Sequence, residues 1–538
     1  MEGSFKQITL AGRFGQGWRR LVVILIYGLC VAGCQTSPHD DQLVNSGVMP
    51  STNGHADSRG NAGEVGERHN NYPNVLIVII DDLRPGVAAY GDQVARTPHI
   101  DELAEAGVVF EEAFATVPNC GASRASLFSS RKPTASRFLT YDSRLDEDLP
   151  EAISLPDYFK AHGYHTVSNG KVFDATMDSA SGWSEAPWNP SGGWTSSMPA
   201  NERRDDIQRA YLDNPQGVVG PAYERLDVAD NAYPDGKLAE KVIDDLMRLS
   251  QGPEPFLMVA GFRKPHLPFN APEKYWSLYD PAAFELPSTF YSMPTGAPYH
   301  PLHKLVEIRS YAGIPQQGLP NESQALNLIH AYYAAVSYAD AQVGKVLTAL
   351  SALGLEDDTI VVLLGDNGMN LGDHTLWGKN ALFDITLKTP LLIRAPGYKS
   401  ARIGSIVSLL DIFPTLTDLV GLPEPAGLDG LSLAPLLSNS TDAVRTAAIS
   451  RWFDSATART QRYRYTDWRD ESGNIVAKML TDLAVDPNEM RNVAEEASYA
   501  EVVEELSGLI TADQSGLHWA PRVQDFVTAR DSAQRVAQ

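Results

Sequence analysis

The chain has 538 residues, enough to bury a large core, and its 43% apolar and 21% charged content is that of a globular protein. Its formal charge is -23, from 67 acidic against 44 basic side chains. So acidic a surface argues against nucleic acid as a partner, and any site for an anionic ligand must be a local basic pocket.

Residues 1–33 read as a targeting segment. Arg13, Arg19 and Arg20 precede an apolar run at 21–29 that is too short to span a bilayer comfortably. Val31-Ala32-Gly33-Cys34 resembles the bacterial lipobox, in which the Cys is acylated and begins the mature chain. The expectation is an exported protein of a Gram-negative bacterium, in the periplasm or at the outer membrane, touching the membrane only through a lipid on Cys34. An ordinary signal peptide cleaved nearby is the alternative. Residues 34–72, rich in Ser, Asn, Gly, Asp and His, read as a flexible tether. Of three cysteines, Cys30 falls in the signal and Cys34 takes the lipid, which leaves Cys120 as a lone thiol in an oxidising compartment.

The globule opens at Asn74 with a β-branched run, typical of a parallel strand covered on both faces. Similar runs recur at 255–260, 359–364 and 391–394. Helical periodicity lies between them, at 99–107, 155–162, 238–249 and 325–350. This alternation predicts an α/β fold with a mostly parallel sheet flanked by helices over 73–438. Residues 175–234, rich in Trp, Pro, Gly and Ser, read as loop excursions around a pocket. After about 440 come short polar strands such as 462–468, the turn Asp486-Pro-Asn-Glu489, and a helix near 500–510. These predict a smaller α+β subdomain over 439–538.

Two acidic clusters occupy equivalent places. Asp81 and Asp82 follow the first strand, and Asp366 and Asn367 follow the strand at 359–364, so both face the crevice at the carboxyl ends of the sheet. Adjacent carboxylates repel unless a cation holds them, and these hard oxygen donors suit Ca²⁺ or Mg²⁺ better than zinc. Ordinary turn sequences are the alternative for either cluster alone. Cys120 precedes a helical stretch whose first N–H groups favour an anion, and Arg124 falls one turn on, on the same face.

The stretch Val117-Pro-Asn-Cys120-Gly-Ala122-Ser-Arg124 resembles the signature of the formylglycine-dependent type I sulfatases, with Ala122 in place of the more usual Pro. Asp81-Asp82-Leu-Arg84-Pro85, Thr97-Pro98-His99, Asn169-Gly-Lys171-Val-Phe173, Gly261-Phe-Arg263-Lys264-Pro-His266, and Leu371-Gly-Asp-His374 with Lys379 are similar to the iduronate-2-sulfatase-like branch. The resemblance implies an alkaline-phosphatase-like fold. It also implies oxidation of Cys120 to formylglycine by a dedicated maturation enzyme. One Ca²⁺ per chain would be held by Asp81, Asp82, Asp366, Asn367 and the modified Cys120. Lys171 and Lys379 would hold the sulfate oxygens, Arg124 would help to ionise the nucleophile, and His266 would protonate the departing alcohol. Asp174 stands where the resembled members carry a His. Arg84, Arg263, Lys264 and His374 are candidate contacts to a sulfated poly- or oligosaccharide, of the algal carrageenan or ulvan type. The competing readings are a phosphate or phosphonate ester hydrolase of the same superfamily, and an inactive, lipid-anchored glycan-binding protein.

Overall fold

The computed structural model describes residues 72–134, 136–190, 220–298, 306–315 and 317–513. The expected signal segment, Cys34 and the expected tether up to residue 71 lie outside the described residues. Among the described residues no helix is long and apolar enough to cross a membrane.

The run Asn-Val-Leu-Ile-Val-Ile-Ile forms β1 (Asn74–Ile80), buried along its whole length. Alternate residues of a strand point to opposite faces, so an unbroken apolar run fits only where both faces are covered. Leu76, Val78 and Ile80 pack with the helices Pro98–Ala106, Pro234–Leu249 and Glu322–Ala352. Val75, Ile77 and Ile79 pack with Cys120–Ser129, Leu155–Ala161 and Ile412–Leu419 on the other face. The 31-residue helix Glu322–Ala352 starts at a capping box between Asn321 and Gln324, which satisfies two end groups reciprocally.

The remaining strands are β2 (Val108–Phe114), β3 (His165–Gly170), β4 (Tyr223–Leu226), β5 (Phe256–Phe262), β6 (Phe269–Pro272), β7 (Thr359–Gly365), β8 (Asn370–Leu371), β9 (Trp377–Gly378), β10 (Leu391–Arg394) and β11 (Ala401–Ser408). Six of them join β1 in the main sheet, in the order β11-β2-β10-β7-β1-β5-β3. All run parallel except β10, which is antiparallel to both β7 and β2. The run at 391–394, expected as another parallel strand, is therefore the reversed one. Residues 366–390 stay above the carboxyl end of β7, so the chain re-enters the sheet running the other way, with Leu391 opposite Leu364.

The C-terminal part is the antiparallel sheet β12 (Ala448–Trp452), β13 (Ser455–Arg459), β14 (Tyr463–Arg469) and β15 (Ile475–Asp482). The helix Ala500–Asp513 buries Leu506 and Ile510 against Ala456, Ala458, Tyr465 and Leu480. This subdomain is fastened to the main body by Arg459 and Arg464, whose Nε atoms both lie 2.9 Å from Asp384 Oδ1.

The strand order decides the site. Neighbouring strands β7, β1, β5 and β3 end side by side and deliver, in turn, Asp366 and Asn367, Asp81 and Asp82, the 263–268 loop, and Lys171.

Candidate active site

Asp81, Asp82 and Asp366 are fully buried, and one oxygen from each lies within 4.8 Å of the others. Asp82 adopts a left-handed backbone with φ 59°, a conformation that a non-glycine residue holds only where its surroundings impose it. The surroundings are visible: Tyr332 Oη donates to the Asp82 carbonyl at 2.8 Å, and Asp82 N–H donates to Asp366 Oδ1 at 3.0 Å. Burial pushes the Asp82 carboxyl up to about 6, with Lys379 pulling down and Asp81 pushing up. It pushes Asp366 up to about 7 against the pull of Arg124. Three buried carboxylates converging within 4.8 Å could hold a divalent cation. Asn367 fits that account. Its Nδ2 donates to Asp82 Oδ1 at 2.7 Å, while its Oδ1 is buried with no hydrogen-bond partner, which suits a metal donor. The donors are hard oxygens.

The cations are as deeply set. Lys171 Nζ lies 2.7 Å from Asp81 Oδ2, and Lys379 Nζ lies 2.8 Å from Asp82 Oδ2. Arg124 is fully buried; its Nε meets Asp366 Oδ2 at 2.7 Å and its Nη2 meets Asp81 Oδ1 at 3.3 Å. It also donates to the carbonyls of Lys171 and Val172. These bonds make Arg124 a brace that holds Asp81 and Asp366 against the Cys120 helix. Burial works upward on Asp81, but Lys171, His266, Arg124 and Lys379 together hold it well below the usual carboxylate range. His266 Nδ1–H donates to the Leu267 carbonyl at 2.7 Å and its Nε2 lies 3.5 Å from Asp82 Oδ2. Burial, with Lys379 adding, holds the imidazole well below its ordinary range.

Cys120 is the first residue of the buried helix Cys120–Ser129, and Asn119 before it makes no side-chain capping bond, so the free N–H groups of the first turn gather beside Cys120. Its Sγ lies 3.6 Å from Asp82 Oδ1. The following residue has to be Gly, because a Cβ on Gly121 would lie 2.0 Å from the Tyr141 carbonyl oxygen. Ser123 Oγ donates to the Asp366 carbonyl at 2.6 Å and ties this helix to the end of β7. Burial, reinforced by Asp81, pushes the Cys120 thiol well above its ordinary value, so an unmodified Cys120 is a protonated thiol here.

The other expected residues divide. Asp174 sits beside the centre, 3.0 Å from Lys171 Nζ. Arg84, at the rim, pairs with Asp373 at 3.0 Å. Arg263 is half-buried, and its backbone N–H donates to Asp235 at 3.0 Å. Lys264 and His374, expected to contact substrate, turn inward instead. Lys264 Nζ is buried and donates to the carbonyls of His266 and Pro268, closing its own loop. His374 stacks on Phe383 at 4.2 Å and donates from Nε2 to the Asn488 carbonyl at 2.7 Å, so it docks the C-terminal subdomain. Sequence reasoning missed Glu307, which reaches His266 and Lys379, and Asn380, which accepts from Asn119 Nδ2 at 3.2 Å. Only the proximity of Asn380 to Lys379 in the chain could have flagged it.

The chain is similar to known proteins over most of its described length. The Sulfatase family profile matches residues 73–422, and that of the N-sulphoglucosamine sulphohydrolase C-terminal region matches residues 372–515. Iduronate 2-sulfatase of Homo sapiens is 32% identical over 391 residues, covering 65% of this chain and 70% of that protein. The ulvan-active sulfatase of Formosa agariphila is 26% identical over 462 residues, covering 81% of this chain and 79% of that one. Among solved structures, the phosphonate monoester hydrolase of Agrobacterium radiobacter superposes with a TM-score of 0.66 at 25% identity, covering 82% of this chain and 95% of that chain. The fold is thus alkaline-phosphatase-like, and the chain belongs to the sulfatase family, in its iduronate-2-sulfatase-like branch, as a sulfuric ester hydrolase.

Proposed function

We propose that the protein removes sulfate groups from a sulfated algal polysaccharide or its oligosaccharides, of ulvan or carrageenan type, through a formylglycine made from Cys120. The observation that carries this reading is the convergence of Cys120 with three carboxylates, Lys171, Lys379 and His266 in one buried centre. The activity of the Formosa agariphila relative on ulvan supports the algal assignment. Oxidised and hydrated, Cys120 would supply the oxygen nucleophile for sulfur. Asp81, Asp82, Asp366 and Asn367 would hold one Ca²⁺, which supplies positive charge for the sulfate.

The chain's own residues do the rest. Lys171 and Lys379 bind sulfate oxygens, on which charge is spread as the S–O bond breaks. Arg124 fixes Asp81 and Asp366 relative to the Cys120 helix. His266, whose Nε2 lies beside Asp82 and Glu307, gives its proton to the departing alcohol, because an alkoxide leaves poorly. A bound sulfate offsets the charge of Lys379 and so favours the protonated imidazole that this step needs. On the reading of the N-terminus, the enzyme is exported and held by a lipid on Cys34 of a Gram-negative bacterium.

The test uses protein expressed with a competent maturation system. Its Cys120 peptide should show the mass loss of thiol-to-aldehyde conversion, and activity should track the converted fraction. A panel of defined ulvan, carrageenan and glycosaminoglycan oligosaccharides should show sulfate release from at least one algal member, with a phosphonate monoester as the control for the rival chemistry. Full activity with an unmodified Cys120, or turnover of the phosphonate alone, overturns the reading. For the anchor, Cys34→Ser should abolish acyl labelling.

A further inference from the structure

One acidic side chain stands among the cations of the centre and is not a candidate metal ligand. Glu307 lies on the short helix Val306–Arg309, with Oε1 3.2 Å from His266 Nε2 and Oε2 3.7 Å from Lys379 Nζ. Its side chain is 28% exposed against 5% for His266 and 4% for Lys379, so it closes the centre from the solvent side. The helix that carries it is fixed independently: Ile308 is fully buried, and Arg309 donates to the carbonyls of Pro315 and Gly318. Glu307 is therefore presented by the fold and not merely drawn in by charge.

Two consequences of that position oppose each other. A carboxylate this close to Lys379 weakens the attraction of the site for any anion. The same carboxylate gives His266 a second anchor. At Nδ1 the imidazole donates to the carbonyl of the adjacent Leu267, and Asp82, the other acid near Nε2, is also engaged by Lys379 and Asn367. We propose that Glu307 is a positioning residue for the sulfatase reaction. It fixes His266 so that Nε2 faces the departing oxygen, and, with its charge beside Lys379, it does so at the cost of ground-state affinity. The inference rests on the function proposed above, in which His266 is the proton donor.

This predicts a split that general damage to the fold does not produce. Glu307→Gln should bind inorganic sulfate, as a product inhibitor, more tightly than the wild type, because a repelling charge is gone. On the oligosaccharide that the wild type desulfates fastest, kcat should fall about 100-fold, since misplacing a catalytic group by about 1 Å costs that much, while KM stays level or falls. On 4-nitrophenyl sulfate, whose leaving group departs without a proton, the loss should stay within about threefold. Glu307→Asp, with the charge kept, should recover part of the lost kcat. Weaker sulfate binding with equal kcat losses on both substrates overturns the inference, as does an unchanged kcat on the oligosaccharide. Absence of desulfation by the wild type across the whole panel would instead overturn the proposed function, and the sulfate-binding comparison still reads Glu307 without turnover.

Discussion

Asp174 Oδ1 lies 3.0 Å from Lys171 Nζ, and the same ammonium lies 2.7 Å from Asp81 Oδ2. Lys171 thus divides its charge between a buried carboxylate and one at the edge of the centre. Asp174 occupies the place at which the resembled sulfatases carry a base for the last proton transfer, and a carboxylate is the weaker base for that step. Asp174→His should raise kcat and diminish any burst of alcohol release over sulfate release in rapid-mixing kinetics. Asp174→Asn, which keeps the shape and loses the base, should lower kcat by about 100-fold. Equal sulfate-release rates in all three proteins would remove Asp174 from the reaction.

Metal removal should be felt as a loss of stability as well as of activity, because a cation held among Asp81, Asp82 and Asp366 would bind the folded chain and not the unfolded one. Chelation should lower the unfolding temperature, and calcium should restore it. At a metal concentration of 100 times Kd the stabilisation is about 2.7 kcal/mol. Asp82→Ala or Asp366→Ala should abolish stoichiometric calcium by elemental analysis and nearly all turnover; retained calcium in both variants would falsify the ligand assignment.

Gly261 sits where β5 passes the chain that carries Lys171. A Cβ there would lie 1.9 Å from the Lys171 carbonyl oxygen, and Lys171 N–H already donates to the Gly261 carbonyl at 2.8 Å. Gly261→Ala should cost about 1–3 kcal/mol as overpacking and displace Lys171, with a fall in kcat/KM beyond that of the stability loss. Gly508→Ala is the control. It lies on the exposed side of the Ala500–Asp513 helix with nothing near its Cβ, and should stabilise by about 0.5–1 kcal/mol in a denaturant titration.

Burial holds the His374 imidazole below its ordinary range, with the Asn488 carbonyl acting the other way. Its Nδ1 is buried with no hydrogen-bond partner, so a proton added there has nothing to bond. The folded value lies below the unfolded one, so the stabilising contribution is present above about pH 6.5 and is lost as the pH falls below it. The unfolding temperature should therefore drop between pH 7.5 and pH 5, and drop less in His374→Gln. Parallel profiles for the two proteins would exclude His374 as the acid-sensitive contact.

Elements whose logic is local were legible in the chain before folding. An unbroken β-branched run at Asn74–Ile80 has no stable place except a strand covered on both faces, and Asp81 and Asp82 directly after it must emerge at its carboxyl end. Cys120 and Arg124 fall on one face of a helix by spacing alone. Features that depend on where distant segments return were set by the folded chain. It set β10 antiparallel, because the 366–390 segment never crosses back over the sheet. It turned Lys264 and His374 inward, since carbonyls of the 266–268 loop and of Asn488 lie within reach of side chains that read as surface cations and loop polar groups. It also brought Glu307 against His266 and Lys379. No periodicity encodes such a contact, because three chain segments far apart in sequence meet only after the sheet order has been fixed.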